Sequence, residues 1–76
     1  MTPITYNDFL KMLEILPPAD SYQNYKAFLV GEPYDHNEQG QPRYHSFFAK
    51  PDKNEYYDGG YMTKKEFHQT CKTFYQ

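Results

Sequence analysis

The sequence predicts an α+β fold in the order α-β-β-β-α: a three-stranded antiparallel meander with two amphipathic helices packed on one of its faces. Three observations carry this expectation. Two apolar stripes at helical spacing, each opened by a capping residue, bracket the chain. Three short aromatic-rich runs lie between them. The turns that join these runs favour antiparallel neighbours over parallel crossovers. The chain has 76 residues, which predicts a single domain spanning residues 1–76.

The first helix is marked by Thr5 as N-cap, with Asp8 three residues on, where a carboxylate favours the positive helix end. Ile4 before the cap and Phe9 form a hydrophobic staple. Tyr6, Phe9, Leu10, Leu13 and Leu16 make one apolar stripe, and Pro17-Pro18 ends it, because a residue before proline is pushed out of the α region. Residues 19–24 read as a connector. Residues 25–30 read as a strand ended by Gly31, and residues 32–43 have loop composition. A second strand is expected over 44–49, followed by a turn at 51–54. A third begins at 55–58, with Gly59-Gly60 allowing a bulge before Tyr61-Met62. The last helix opens on a capping box, Thr63 with Glu66, and a Met62–Phe67 staple. Phe67, Cys71, Phe74 and Tyr75 form its buried stripe. In this arrangement the second sheet face is open and carries aromatic side chains.

Composition bounds the function. Cys71 is the one cysteine, so no disulfide forms within the chain, and a lone thiol suits a reducing compartment. The N-terminus has no basic segment followed by an apolar run, as a secretory leader would. No apolar run approaches the roughly 20 residues needed to span a bilayer. These features predict a cytoplasmic protein with no membrane association. Nine tyrosines and six phenylalanines are more rings than a small core needs, and exposed tyrosines are favoured at interfaces. A small domain that builds its core from rings in place of Leu and Ile, or a homodimer that buries the open face, is the competing explanation.

The net charge of −2 argues against a simple nucleic-acid binder. The charge is uneven: Glu32, Asp35, Glu38, Asp52, Glu55 and Asp58 lie in the middle of the chain with Arg43, Lys50 and Lys53, whereas Lys64, Lys65 and Lys72 lie near its end. Exposed rings with these lysines could stack bases, which keeps a nucleic-acid-associated regulator as an alternative. A DNA mimic needs a denser carboxylate surface than this one.

No nucleotide-binding, hydrolase or other catalytic motif is present, so the chain is expected not to be an enzyme and to need no cofactor. His68 and Cys71 are spaced i, i+3 on one helix, and His36 and His45 could complete a metal site. Structural zinc usually takes its ligands from paired knuckles, however, and Cys71 falls on the apolar stripe, so no metal is expected. The same placement denies Cys71 the setting of a reactive thiolate.

The linear pattern of Leu13-Glu14-Ile15-Leu16-Pro17-Pro18, Phe28-Leu29-Val30-Gly31-Glu32-Pro33 with His36-Asn37, residues 44–48, and Tyr61-Met62-Thr63-Lys64-Lys65-Glu66-Phe67 resembles a loosely defined group of small accessory proteins encoded by bacterial phages and plasmids. The resemblance covers most of the chain and implies no catalytic residues. It implies a factor of the anti-CRISPR or anti-restriction kind, acting in the bacterial host cell by steric or allosteric binding to a nucleic-acid-handling defence complex. The expected contact surface joins Tyr34, Asp35, His36, Asn37 and Glu38 to Tyr56, Tyr57, Asp58 and Tyr61, with rigid rings giving area and acids meeting Arg or Lys of the partner.

Overall fold

A computed structural model describes residues 1–76. In chain order it contains β1 (Thr2–Pro3), α1 (Tyr6–Leu13), β2 (Asp20–Tyr22), β3 (Ala27–Leu29), β4 (Asp35–His36), β5 (Pro42–Lys50), a 3-10 turn at Pro51–Lys53, β6 (Glu55–Met62) and α2 (Lys64–Phe74). The fold is α+β with two helices, as expected. The sheet, however, has six antiparallel strands rather than three, in the order β1-β6-β5-β3-β2, with β4 beside the start of β5. The predicted meander is its centre, β3-β5-β6. The added strands are only two or three residues long, and Thr-Pro, Asp-Ser-Tyr and Asp-His show no alternating pattern. Backbone pairing with a longer neighbour makes them strands, which local sequence does not reveal.

The helices lie on opposite faces of the sheet, which corrects the expected one-sided packing. Side chains alternate along a strand. Ala27 and Leu29 of β3, with Tyr44 and Phe48 of β5, pack against Phe67 and Cys71 of α2. Phe28 of β3, with Phe47 and Ala49 of β5, packs against Phe9 of α1. All three residues of β3 are buried, a run that needs cover on both sides.

Both helix starts follow their local signals. Thr5 Oγ1 accepts the Asp8 N–H at 3.1 Å, and Ile4 packs with Phe9. At α2 the capping box is complete: Thr63 Oγ1 accepts the Glu66 N–H at 3.2 Å, and Glu66 Oε1 accepts the Thr63 N–H at 2.9 Å. Thr63→Ala is expected to cost about 1 kcal/mol, measured as a lower urea midpoint at unchanged slope.

The ends differ from expectation. The chain leaves α1 at Glu14, where the N–H groups of Glu14 and Ile15 turn to the carbonyls of Lys11 and Met12, three residues back. Leu16, expected on the buried stripe, is 77% exposed. Strand β3 begins at Ala27, because Gln23, Asn24 and Tyr25 all hold left-handed φ values, 45°, 56° and 68°, in the turn from β2. The expected bulge is present: Ser46 pairs with Gly60 and Phe47 with Asp58, so Gly59 is the extra residue. A Cβ on Gly59 would stand 2.4 Å from Phe48 Cε1 and 2.5 Å from Ser46 Oγ, so glycine is the residue that fits there.

One side chain ties three segments together. Tyr75, at the end of α2, places its hydroxyl 2.8 Å from the carbonyls of Lys26 and Ala49 and accepts the Ala49 N–H at 3.1 Å. Burial pushes its pKa up to about 12.

Candidate binding surface

Because α1 spans only eight residues, it covers one end of its sheet face. Aromatic rings continue beyond it. Tyr6, Tyr56, Phe9, Phe28, Phe47, His45, Tyr61 and Tyr34 form an unbroken series in which each ring contacts the next. The series is buried at Phe9, Phe28 and Phe47 and emerges at Tyr34 and Tyr61, which are 64% and 39% exposed.

The open end is held in place from below. Tyr34 and Tyr61 stack with centroids 3.9 Å apart and planes 18° from parallel. The His45 ring sits beside Tyr61 at 4.7 Å and Phe47 at 4.3 Å. His45 Nε2 lies 2.8 Å from Asp58 Oδ1, which also accepts the Gly60 N–H at 2.8 Å. This oxygen therefore fixes the bulge that turns Tyr61 outward. Tyr34 is anchored by its own N–H on the Arg43 carbonyl at 2.8 Å.

The next residue, Asp35, makes a two-pronged pair with Arg43, Nε to Oδ1 at 2.7 Å and Nη2 to Oδ2 at 2.6 Å. The Arg43 hydrogen bond holds the Asp35 carboxyl below the ordinary carboxylate range, against an opposing push from burial. A lowered folded-state pKa stabilises above the unfolded value, and the contribution is lost as pH falls through the folded value. NMR titration is expected to place the Asp35 midpoint below that of ordinary carboxylates, and Arg43→Gln is expected to bring it back up.

The nine expected contact residues therefore divide. Tyr34, Asp58 and Tyr61 come together around His45. Asp35 sits at the shelf's edge and is committed to Arg43. His36 and Glu38 are exposed on the hairpin from β4 to β5. Asn37 is occupied inside that hairpin: its Oδ1 accepts the N–H groups of Gln39 and Gln41 at 3.0 and 2.9 Å, and its Nδ2 donates to Gln41 Oε1 at 2.9 Å. Tyr56 is half-buried under α1 against Tyr6 and Phe9. Tyr57 points to the other face, against Phe74 of α2.

His45, considered from sequence only as a metal ligand, instead lies between Tyr61 and Phe47 and bonds Asp58. Its alternation with Tyr44 and Ser46 was the available signal, since it puts His45 on the same face as Phe47.

The potential metal ligands are dispersed. His68 Nε2 bonds Asp20 Oδ2 at 2.7 Å, joining α2 to β2. Cys71 is fully buried, and burial pushes its thiol up to about 11. No three His, Cys, Asp or Glu side chains stand close enough together to hold a metal ion. No helix is long and apolar enough to cross a membrane.

These features define a small α+β domain with one helix on each face of a six-stranded antiparallel sheet and a partly uncovered aromatic face. Compared with known proteins, the chain matches no family model, no curated protein and no solved structure.

Proposed function

We propose that this chain is a non-catalytic protein-binding module and that the Tyr34–Tyr61–His45 shelf is its contact surface. The observation that carries the reading is the Tyr34–Tyr61 stack. Two large rings stand out toward solvent although neither core needs them, and their positions are set by backbone and side-chain bonds beneath. Rigid tyrosines give contact area at small entropic cost, and ordering in the free protein lowers the cost of association.

The partner class rests on the resemblance to accessory proteins of phages and plasmids. That resemblance supports a nucleic-acid-handling defence complex in the bacterial cytoplasm as the target, disabled by steric or allosteric obstruction. The acids Glu32 and Glu38, which join no ion pair, suit a basic partner surface.

Affinity capture from a bacterial lysate tests the reading, with the wild type beside a Tyr34→Ala/Tyr61→Ala variant. Both positions are exposed, so the variant is expected to keep its fold, checked by circular dichroism, and to lose the captured partner. Loss of central aromatic contacts costs 2 kcal/mol or more at typical interfaces, about thirtyfold or more in affinity. Equal capture by both proteins removes the shelf from the argument. Gel shifts with single- and double-stranded nucleic acid examine the alternative in which the rings stack bases. Light scattering examines the alternative in which they bury against a second copy.

A further inference from the structure

We propose that the cleft beside the shelf receives an apolar side chain of the partner, from a segment that carries an arginine or lysine next to it. This inference rests on the protein-binding reading above and specifies the partner's chemistry.

The cleft, of about 310 Å³, is lined by Ile15, Leu16, Pro17, Val30, Gly31 and Glu32. It lies at the small end of the roughly 300–1,000 Å³ typical of ligand pockets, a size that suits one inserted side chain. Part of its wall is apolar and open: Ile15 is 40% exposed, and Leu16 is the most exposed large apolar residue in the chain. One wall is set where the Pro17 carbonyl packs directly on the Gly31 backbone, leaving no room for a Cβ.

Charge selects the occupant. Glu32 lines the cleft, and Glu14 immediately precedes Ile15 in the chain. Neither is in an ion pair. Glu14 is also the C-cap of α1, and the negative end of a helix disfavours a carboxylate. A partner cation placed here meets the unpaired Glu32 in the cleft wall, with the charge of Glu14 one residue outside the lining adding to the same sign. A nucleic-acid phosphate would meet them unfavourably, and a second copy seated cleft to cleft would bring the same acids together.

The cleft is continuous with the shelf. The Val30 N–H bonds the His45 carbonyl at 2.9 Å, and Glu32 leads through Pro33 to Tyr34. One partner segment can therefore fill the cleft and lie against the tyrosines, where a guanidinium gains further from the ring faces.

The test is an amide-resolved NMR titration of the full chain with a short synthetic peptide of Leu and Arg, and with a control in which every Arg is Gln. The expected result is saturable binding of the Leu/Arg peptide, with shifts centred on Ile15, Leu16, Val30, Gly31 and Glu32. Affinity is expected to fall about tenfold for the Gln peptide and about tenfold for each of Leu16→Ser and Glu32→Lys, both at exposed positions. Equal affinity for the two peptides, undiminished binding by the two variants, or shifts centred outside the cleft would overturn the proposal. Concentration-dependent shifts in the cleft without peptide would overturn it in favour of a second copy. Lysate capture separates the two ideas. A partner lost by Tyr34→Ala/Tyr61→Ala but kept by Leu16→Ser leaves the binding reading intact and removes this one.

Discussion

Phe48→Ala is expected to lower the unfolding free energy by about 3–5 kcal/mol. A chain of this length holds roughly 4–11 kcal/mol in total, so the variant loses a large part of its stability. Phe48 is fully buried in the second half of β5, and its ring contacts Phe67 and Phe74 of α2. It also faces the backbone of Gly59, where no Cβ fits. Truncation leaves a cavity that the sheet cannot close, because β5 is held on one side by β3 and on the other by β6. Thermal denaturation followed by circular dichroism is the measurement, and a fall of roughly 12–40 °C corresponds to this loss at this size. Leu16→Ala provides the contrast. The same chemistry at a residue 77% exposed is expected to change stability by no more than about 0.5 kcal/mol. A small effect at Phe48 would mean that α2 is held to the sheet by something other than this ring cluster.

Gly31→Ala is the second large effect. Its Cβ would stand 1.9 Å from the Pro17 carbonyl oxygen and 3.1 Å from its carbon. The obstacle is backbone, which cannot swing aside as a side-chain end can. Overpacking of this kind costs typically 1–3 kcal/mol, and a direct backbone clash belongs at or above the upper end, so a loss of about 3 kcal/mol is expected. The substitution pushes the segment after α1 away from the end of β3. Urea unfolding measures the loss, and amide shifts at Leu16 and Val30 report the displaced wall of the cleft. An unchanged urea midpoint would show that the Pro17 segment yields easily and does not define the cleft.

The helix starts were legible because their signals are local. A Thr cap, an acid three residues on and a flanking staple lie within a few residues of one another, so each can be read without knowing the rest of the fold. The Gly59 bulge was legible for the same reason. The number of strands was not. Thr2–Pro3, Asp20–Tyr22 and Asp35–His36 become strands by pairing with β6, β3 and β5, and their own side chains carry no strand pattern. The exit from α1 was only half legible. Proline at 17 predicts an end, but the turn begins three residues earlier, at Glu14, and so turns Leu16 outward.

The candidate surface shows the same division. Tyr34 and Tyr61 stood out as excess tyrosines, yet nothing in a sequence separation of 27 residues says that they stack. Tyr56 and Tyr57 read alike as neighbours in one strand, and alternation sends one beneath α1 and the other toward α2. His45 joins the site through Asp58, and that pairing depends on the register of β5 with β6.

By itself, then, the sequence determined the α+β class, both capped helices, the three central strands and the bulge, because caps, staples, periodicity and glycine act over a few residues. Only the tertiary structure decided that the helices take opposite faces, that α1 leaves part of its face bare, and that Tyr34, His45, Asp58 and Tyr61 meet there. Those outcomes depend on strand order and register, which are set by how the whole chain buries its rings.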